Sequence, residues 1–306
     1  MHQTTIDHAV ECSGIGLHSG KLVSLRLLPA AADSGILFSL RTGRSTRFVR
    51  PSPEAVVATQ LSTTLGQGDA RVATVEHLLA AVRGLHIDNL LIEVTGGEIP
   101  IMDGSAASFV FLLHTAGVRV LNRPRTIFRL RQPFSLESEG KWIKARPYNG
   151  VRIDCTIAFP HPLIGEQSLS LELTPEAFAR KLAKARTFGF LKQVEALHRN
   201  GLALGGSLDN AIVLDDFGIV NTEGLRYADE FVRHKVLDFI GDLAVLDYPL
   251  HGHFEAFCSG HALNNAFVRT LETNRALYLE EWRPAPVQEP ESEPFLPARA
   301  PATYAA

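Results

Sequence analysis

The chain of 306 residues is long enough for one large or two medium domains with a substantial buried core. Apolar residues make up 45% and charged residues 21% of it, which excludes collagen-like, disordered and disulfide-scaffold proteins. The formal net charge of −3 argues against a general nucleic-acid-binding protein, although a local basic pocket for a phosphorylated ligand is compatible with it.

The cysteines and the N-terminal sequence bear on the compartment in which the chain works. Cys12, Cys155 and Cys258 are widely spaced and form no CxxC pair, so neither a zinc ribbon nor a disulfide framework is supported. The first residues lack a basic region followed by an apolar run, and no stretch reaches the roughly 18 apolar residues of a membrane span. We therefore expect a cytoplasmic protein that has no integral membrane segment and no nucleic-acid partner.

The first part of the chain reads as short strands followed by helices. Alternating apolar residues and turn signals predict strands over residues 22–28, 35–42 and 90–94. Apolar residues at spacings of three and four predict a helix over residues 73–84, with Thr74 as its N-cap. A second helical pattern begins after Asp103 and ends near Gly117.

An arginine-rich segment over residues 119–131 marks a change in composition, and we place a domain junction near residues 122–126. Beyond it, strands are predicted over residues 126–130, 142–146, 151–159 and 254–257. Helices are predicted over residues 175–186, 227–246 and 261–279. Because strands and helices segregate into blocks, an α+β fold is favoured over a doubly wound sheet. The predicted domains cover residues 1–123 and 124–280, and a Pro-, Glu- and Ala-rich tail over 281–306 is expected to be disordered.

Residues 230–242 carry the most informative pattern of the sequence. His234 and Asp238 are spaced i and i+4, so on a helix they share one face about one turn apart. An imidazole and a carboxylate placed in this way can hold one divalent metal ion, and Asp242 lies a further turn along that face. The alternative is an ordinary His–Asp pair on a solvated helix face, which the spacing alone favours.

Two other short segments offer groups for hydrolysis. Glu76 and His77 are adjacent in an otherwise apolar helix, where their side chains point about 100° apart. This arrangement lets His77 bind a metal ion while Glu76 acts as general base on a water molecule. His261 follows Gly260 at the start of a helix, where the backbone can approach a ligand closely. Taken singly, each segment is more simply explained as structural.

Taken together, the three segments describe a catalytic metal site. His77, His234 and Asp238 supply the three protein ligands of a catalytic zinc ion, which leaves a fourth position for water. Glu76 and His261 then supply the base and the acid that amide hydrolysis needs. Zinc and ferrous iron both accept two histidines and one carboxylate, so the ligand types leave the choice between Zn²⁺ and Fe²⁺ open.

Seven segments between about Ile6 and Leu279 carry a resemblance to a known family. They are SGIGLHSG (13–20), TVEHL (74–78), IPIMDGS (99–105), ARTFGF (185–190), GGS (205–207), HKVLDFIGD (234–242) and SGHALNN (259–265). In this order they resemble the UDP-3-O-acyl-N-acetylglucosamine deacetylases, the zinc enzymes of the committed step of lipid A biosynthesis. The resemblance implies two similar α+β domains, each a β-sheet layered against α-helices, with the active site between them. It also implies removal of an N-acetyl group from an acylated UDP-amino sugar.

The resemblance implies roles for individual residues. The implied metal ligands are those already singled out, His77, His234 and Asp238. Glu76 matches the family's general base, His261 its cationic acid, and Asp242 the hydrogen-bonded partner of that acid. Thr187 matches the hydroxyl group that stabilises the oxyanion.

Substrate-binding residues are also implied by the resemblance. Lys235 matches a lysine that helps to hold the substrate, and Phe159 and Lys141 are candidates for the uracil and diphosphate ends. The family has a hydrophobic passage for the fatty acyl chain, and the candidates for it are Phe190, Leu191, Val194, Leu197, Leu202, Ala203 and Val213. Phe188 is a further candidate for substrate contact, although Phe188 and Phe190 could equally serve in packing.

Three features qualify the resemblance. The family often carries a basic residue near the substrate phosphates where this chain has Cys258, which puts one phosphate contact in doubt. Residues 164–168 look shorter than in some relatives, so the rim of the acyl site is expected to differ. His18 lies in a matching motif, but with three ligands assigned we expect it to be structural. The chain is expected to be a monomer.

Two other functions fit part of the pattern. A zinc peptidase or general amidohydrolase could use the same groups, but the chain lacks an HExxH motif. A non-enzymatic metal-binding or lipid-binding protein would need the metal ligands alone. The presence of Glu76, His261 and Thr187 argues against it.

Overall fold

The computed structural model describes residues 1–43 and 45–283. The greater part of the predicted tail, from residue 284 onward, lies outside the described residues. Its first residues belong to the fold, because Glu281 and Trp282 form the end of a strand over Leu279–Trp282. Regular structure therefore reaches at least Trp282.

The chain up to Pro124 contains ten strands and two helices in its described residues. The strands are β1 (His2–Ile6), β2 (Val10–Ile15), β3 (Leu22–Pro29), β4 (Ile36–Thr42), β5 (Ser45–Val49), β6 (Val56–Ala58), β7 (Thr64–Gln67), β8 (Ala70–Val72), β9 (Leu90–Thr95) and β10 (Val118–Pro124). The helices are α1 (Glu76–Gly84) and α2 (Ala107–Ala116).

The following part of the chain contains nine strands and five α-helices as far as residue 283. The strands are β11 (Ile127–Leu130), β12 (Phe134–Ser138), β13 (Lys141–Arg146), β14 (Val151–Phe159), β15 (Gly165–Glu172), β16 (Phe188–Phe190), β17 (Ile212–Leu214), β18 (Leu250–Phe257) and β19 (Leu279–Trp282). The helices are α3 (Pro175–Ala177), α4 (Leu191–Arg199), α5 (Glu230–Leu243), α6 (His261–Thr273) and α7 (Arg275–Tyr278). None of the described helices has the length and apolar character needed to cross a membrane.

One sheet topology occurs twice along the chain. The strand order is β2-β3-β9-β4-β5 in the first sheet, and β12-β13-β18-β14-β15 are joined in the same succession in the second. In each succession the central strand pairs in parallel with the strand after it, and the other neighbours are antiparallel. A helix precedes the central strand (α1, α5) and another follows it (α2, α6). The predicted α+β class is confirmed, and the repeat agrees with two similar halves; the boundary near residues 122–126 stays a prediction.

Each repeat carries an insertion of its own, which lies between β5 and α1 in the first repeat and between β15 and α5 in the second. In the first repeat the insertion is the antiparallel sheet β6-β7-β8. In the second repeat it holds α3, α4 and the parallel pair β16-β17. Both insertions contribute residues to the candidate site described below. Thr63, just before β7, donates to Glu76 and Asp242, and Thr187, just before β16, borders the cavity.

Helices α1 and α5 pack against each other in the core of the molecule. Eight of the nine residues of α1 and eleven of the fourteen residues of α5 are buried, so both helices lie inside the apolar core. At Gly241 the two backbones come so close that a Cβ atom would lie 2.8 Å from the Cα atom of Glu76. Glycine therefore allows the two backbones to approach directly beside the first residue of α1.

Several predicted elements differ from the structure in their ends. The helix predicted over residues 73–84 begins at Glu76, because Thr74 has a φ of 59° and its hydroxyl donates to Glu98 instead of capping the helix. The helix predicted over 175–186 is a short α3 followed by a π-helical turn over Phe178–Leu182, in which the Ala183 amide donates to the Phe178 carbonyl at 2.9 Å. The helix predicted over 261–279 is interrupted at Asn274, between α6 and α7.

Candidate metal centre and active site

Helices α1 and α5 bring two histidines and one aspartate together. The Nε2 atoms of His77 and His234 lie 3.5 Å and 3.3 Å from Oδ1 of Asp238. One ligand atom from each residue lies within 4.8 Å of the other two, and none of the three residues is more than 4% exposed. The structure thus brings together the three side chains that the sequence predicts as metal ligands.

The chemistry of these three groups fits a divalent cation. The Nδ1 atom of His234 lies 3.1 Å from the Ala185 carbonyl, so it donates there and leaves the Nε2 lone pair facing Asp238. Burial lowers the pKa of His234 to about 3, which keeps the imidazole in its neutral ligand form. Oδ1 of Asp238 is buried and has no hydrogen-bond partner among the described residues. A metal ion bound here would give this buried carboxylate oxygen the partner that it lacks, and the two imidazole nitrogens would complete the ligand set.

Lys235 also acts on Asp238. Its Nζ atom donates to Oδ2 of Asp238 at 2.8 Å, which leaves the other oxygen, Oδ1, to bind a metal ion. Burial alone would raise the pKa of Asp238, but the positive charge of the Lys235 ammonium holds it well below its ordinary value. The carboxylate is therefore ionised wherever the protein is folded near neutral pH.

Glu76 stands next to the metal position at the first residue of α1. Its Oε2 atom accepts from the Thr63 amide at 2.9 Å, and the side chain is buried. Burial raises the pKa of Glu76, while His261 and His77 partly oppose that shift. A carboxylate with a raised pKa, beside a metal position, has the properties of a general base.

His261 opens helix α6 and forms a hydrogen-bonded pair with Asp242. Its Nδ1 atom lies 2.8 Å from Oδ2 of Asp242, and Asn264 donates to the same oxygen at 2.8 Å. The other oxygen of Asp242 accepts from the Thr63 hydroxyl at 2.6 Å. Burial would lower the pKa of His261, but Asp242 outweighs it and the pKa is raised to about 10. His261 is thus a cation at neutral pH and can act as an acid.

These groups share one cavity of about 680 Å³. Its wall includes the metal-ligand set and both acid–base candidates, together with Thr187, Phe188, Lys235 and Lys141. The Thr187 backbone is held on both sides, because its amide donates to Gly104 and its carbonyl accepts from Ile212, each at 2.8 Å. The cavity therefore combines a candidate cation site, a buried carboxylate, a cationic imidazole and a threonine whose backbone is held in place.

Comparison with known proteins agrees with this geometry. Residues 3–273 match the model of the family described as UDP-3-O-acyl N-acetylglycosamine deacetylase. The chain belongs to this family. A curated relative from Oleidesulfovibrio alaskensis, named UDP-3-O-acyl-N-acetylglucosamine deacetylase, is 61% identical over 92% of each chain. Relatives of the same name from Nitratidesulfovibrio vulgaris and Lawsonia intracellularis are 58% identical over 99% of this chain and 98% of theirs, and 51% identical over 91% of each.

The aromatic residues of the deacetylase motif at 185–190 form a packed cluster beside the cavity. Phe188 contacts Phe159 and Phe231 edge to face, with ring centroids 5.5 Å and 5.0 Å away, and Phe190 lies 6.2 Å from Phe159. Phe188 also lines the cavity, whereas Phe159 and Phe190 stand behind it. Phe188 therefore both packs against its neighbours and borders the cavity, where it can contact a substrate. Phe159 and Phe190 take part in the packing and do not border the cavity.

The remaining candidates for the acyl passage lie on the insertion of the second repeat. Leu191, Val194 and Leu197 belong to α4, and none of the nine described residues of that helix is buried. Leu202 and Ala203 lie in the loop after α4, where the Ala203 amide donates to Nδ1 of His18 at 3.4 Å. Val213 is half-buried on β17. None of these residues borders the 680 Å³ cavity in the described part of the chain.

Three residues to which sequence reasoning gave no role support the site. Thr63 donates to both Glu76 and Asp242, Asn264 donates to Asp242, and Glu98 accepts from Thr74. Asn264 could have been found, because it is three residues after His261 on one helix face. Thr63 and Glu98 lie in irregular segments, where no periodicity indicates which way a side chain points.

Proposed function

We propose that the protein removes the N-acetyl group from UDP-3-O-acyl-N-acetylglucosamine, giving UDP-3-O-acyl-glucosamine and acetate in the committed step of lipid A biosynthesis. The observation that carries the proposal is the cavity in which the buried group His77, His234 and Asp238 adjoins Glu76 and His261. Membership of the deacetylase family, over residues 3–273, supports the choice of substrate.

A zinc ion is the proposed cofactor, held by the imidazoles of His77 and His234 and by the unpartnered oxygen of Asp238. When bound, zinc would polarise the acetamide carbonyl and make water more acidic. Fe²⁺ would suit the same ligands, so we propose Zn²⁺ with Fe²⁺ as an alternative occupant.

Glu76 is the proposed general base. Its carboxylate would take the proton of the attacking water, and the Thr63 amide would keep the acceptor oxygen in place. Burial raises the pKa of Glu76, so its carboxylate accepts this proton more readily than a carboxylate in water would.

His261 is the proposed general acid, and Thr187 the proposed oxyanion donor. Cleavage of the C–N bond leaves the amino group of the sugar, which accepts the proton from His261 as it departs. Asp242 keeps His261 protonated until that step and compensates its charge. The Thr187 hydroxyl would donate to the oxygen that develops negative charge, an interaction worth roughly 3–4 kcal/mol in comparable sites.

Substrate recognition is proposed on the cavity wall and its surroundings. Lys235, Phe188 and Lys141 border the cavity and are proposed to contact the amino sugar and its diphosphate. The acyl chain is proposed to run along the second insertion, past Phe190, Leu191, Leu202 and Ala203, and Phe159 at the end of β14 remains a candidate for the uracil end. We also propose a monomer, and a cytoplasmic location because the substrate class is a nucleotide-linked intermediate.

Deacetylation of UDP-3-O-(hydroxyacyl)-N-acetylglucosamine by the purified protein tests the proposal. Acetate release should disappear on chelation and return when Zn²⁺ is added. A metal-loaded protein that releases no acetate from this substrate, yet cleaves simple amides or peptides, would replace the proposal with a general amidohydrolase. Substrate that lacks the acyl chain serves as the matched control for the acyl passage.

A further inference from the structure

A buried carboxylate lies behind the catalytic cavity and has three hydrogen-bond donors. Oε1 of Glu98 accepts from the His18 amide at 2.8 Å and from the Thr74 hydroxyl at 3.1 Å. Oε2 accepts from the Ser19 amide at 3.0 Å. The residue is only 3% exposed, so water does not compete for these contacts. One side chain thus joins two chain segments that are more than fifty residues apart in sequence.

Both segments contribute to the wall of the cavity. Leu17 and Thr74 border it, one residue before His18 and two residues before Glu76 respectively. The loop that carries Leu17 passes so close to Glu98 that a Cβ atom on Gly16 would overlap Oε2 of the carboxylate. The close approach at Gly16 shows that the loop is fitted to the carboxylate.

Thr74 is held in a conformation that it would not adopt readily by itself. Its φ of 59° lies in the left-handed region, which is unfavourable for a β-branched residue. The hydrogen bond from its hydroxyl to Glu98 compensates part of that cost. Val75 and then Glu76 follow, so the conformation of Thr74 sets the direction in which α1 and its first two side chains enter the site.

We propose that Glu98 is a positioning residue for the deacetylase reaction, which fixes the 17–19 loop and the entry of α1 relative to each other. The proposal rests on the proposed function, because it concerns the placement of Glu76. Glu98 contacts neither the cavity nor the metal-ligand group in the described structure, so its effect passes through Thr74 and the loop.

A carboxylate is needed here because all of its neighbours donate. Glutamine at this position would keep one acceptor oxygen and turn an amide NH₂ group toward a second N–H or O–H donor. A buried donor would then lack an acceptor, and the loop or Thr74 would shift to relieve it. Two of the three metal ligands are held by other partners, His234 by the Ala185 carbonyl and Asp238 by Lys235. The third, His77, lies within the buried helix α1, so we expect metal binding to survive the change.

The test compares Glu98→Gln with Glu93→Gln, which alters a half-buried carboxylate paired with Arg26 on the preceding strand β9. Metal content, thermal unfolding, kcat and KM are measured for the wild type and both variants. We expect Glu98→Gln to bind metal stoichiometrically and remain folded at the assay temperature, with kcat lowered roughly 10- to 100-fold, as for small misplacements of catalytic groups. Glu93→Gln should match the wild type.

The outcomes separate this proposal from the proposed function. A wild type that is inactive on the UDP-sugar contradicts the proposed function, whatever the variants do. An active wild type with an equally active Glu98→Gln variant overturns the positioning role, as does a loss of activity that scales with lost metal or unfolded protein.

A double-mutant cycle tests the link through Thr74. Thr74→Gly removes the hydroxyl and adopts the left-handed conformation freely, so it no longer depends on Glu98. Glu98→Gln should therefore lower kcat by a smaller factor in the Thr74→Gly background than in the wild type. An equal factor in both backgrounds would contradict the proposal that Glu98 acts on α1.

Discussion

Glu76 and His261 are prepared by their surroundings for opposite proton transfers. Burial raises the pKa of Glu76, so this carboxylate binds a proton more readily than an exposed one. Burial opposes the charge of His261, but Asp242 raises its pKa to about 10 and keeps it protonated. Thr63 contacts the partners on both sides, since its amide donates to Glu76 and its hydroxyl to Asp242. Neighbouring groups thus shift the pKa values of the proposed base and the proposed acid in the directions that their roles need.

The role of Glu76 can be tested by replacing its carboxylate with an amide. We expect Glu76→Gln to lower kcat by a factor of about 10² to 10⁴, because the amide cannot take a proton from water. Metal content, measured by mass spectrometry of the purified protein, should be unchanged. Glu11→Gln, at an exposed position of β2, is the matched control. Loss of metal from the Glu76 variant would make Glu76 a ligand and contradict the assignment.

The His261–Asp242 pair predicts the alkaline side of the pH profile. His261 must be protonated to act as acid, so kcat/KM should fall as the pH rises through its pKa of about 10. Asp242→Asn removes the charge that raises this pKa, and the alkaline limb should therefore move to lower pH. On the acid side, activity should fall as Glu76 becomes protonated, and Asp242→Asn should affect that limb less. An alkaline limb that stays in place would rule out His261 as the titrating acid.

Part of this site could be predicted from the types and the spacing of its residues. The spacing of His234, Asp238 and Asp242 fixes them on one helix face, and the structure has them there. Thr63 could not be predicted, because it lies between strands and its contacts join residues that are 13 and 179 positions away. Lys235 was expected to hold substrate, and its hydrogen bond to Asp238 depends on a rotamer that no sequence pattern encodes.

At the scale of elements, the distance between α1 and α5 determines how the three candidate metal ligands lie relative to one another. His77 belongs to one helix, and His234 and Asp238 belong to the other. At Gly241 the backbone of α5 lies directly against the first residue of α1. A change in that contact would move His77 relative to the other two ligands.

Gly241→Ala tests the importance of this contact. Alanine is favoured over glycine within a helix by about 1 kcal/mol, so a net destabilisation would report the lost fit between the helices. We expect the added methyl group to destabilise the fold by about 1–3 kcal/mol, as overpacking does, and to weaken metal binding. Denaturant unfolding and metal titration measure the two effects. Gly218→Ala, in an open turn, is the control, and equal stability of both variants would contradict the prediction.

The elements themselves were predictable where their periodicity is strong. The strand predicted over residues 151–159 matches β14 residue for residue, and the strand predicted over 90–94 lacks only one residue of β9. The predictions fail where a tertiary contact decides the local conformation. Thr74 resembles an N-cap in sequence, but its hydroxyl donates to Glu98. The π-helical turn over Phe178–Leu182 places Phe178 beside Gly84 of α1, a contact that the local sequence does not reveal.

At the scale of the whole molecule, the two repeats contribute equivalent helices to one site. α1 and α5 each precede the central strand of their sheet, and together they carry the metal-ligand group and Glu76. The strand order could not be read from the sequence, because alternation identifies strands without saying which of them pair. The expectation of two similar halves came from the resemblance to the deacetylase family, and the repeated topology gives it a structural basis.

A metal ion held by residues of both repeats should stabilise the entire fold. Because the ion binds the folded chain, its contribution follows its free concentration and reaches about 4 kcal/mol at a thousand times Kd. For a chain of this size that corresponds to a rise in Tm of roughly 6–7 °C, which chelation should abolish and Zn²⁺ should restore.

Asp238→Ala distinguishes this effect from weak binding elsewhere. The variant lacks one of the three ligands, so its Tm should be nearly the same with and without chelator, whatever its own stability. Asp229→Ala, which removes a carboxylate paired with Arg233 just before α5, should keep the wild-type response. If chelation lowered the Tm of the Asp238 variant as much as that of the wild type, the stabilising ion would lie outside the His77, His234 and Asp238 group. Activity that depended on metal would then need a different set of ligands.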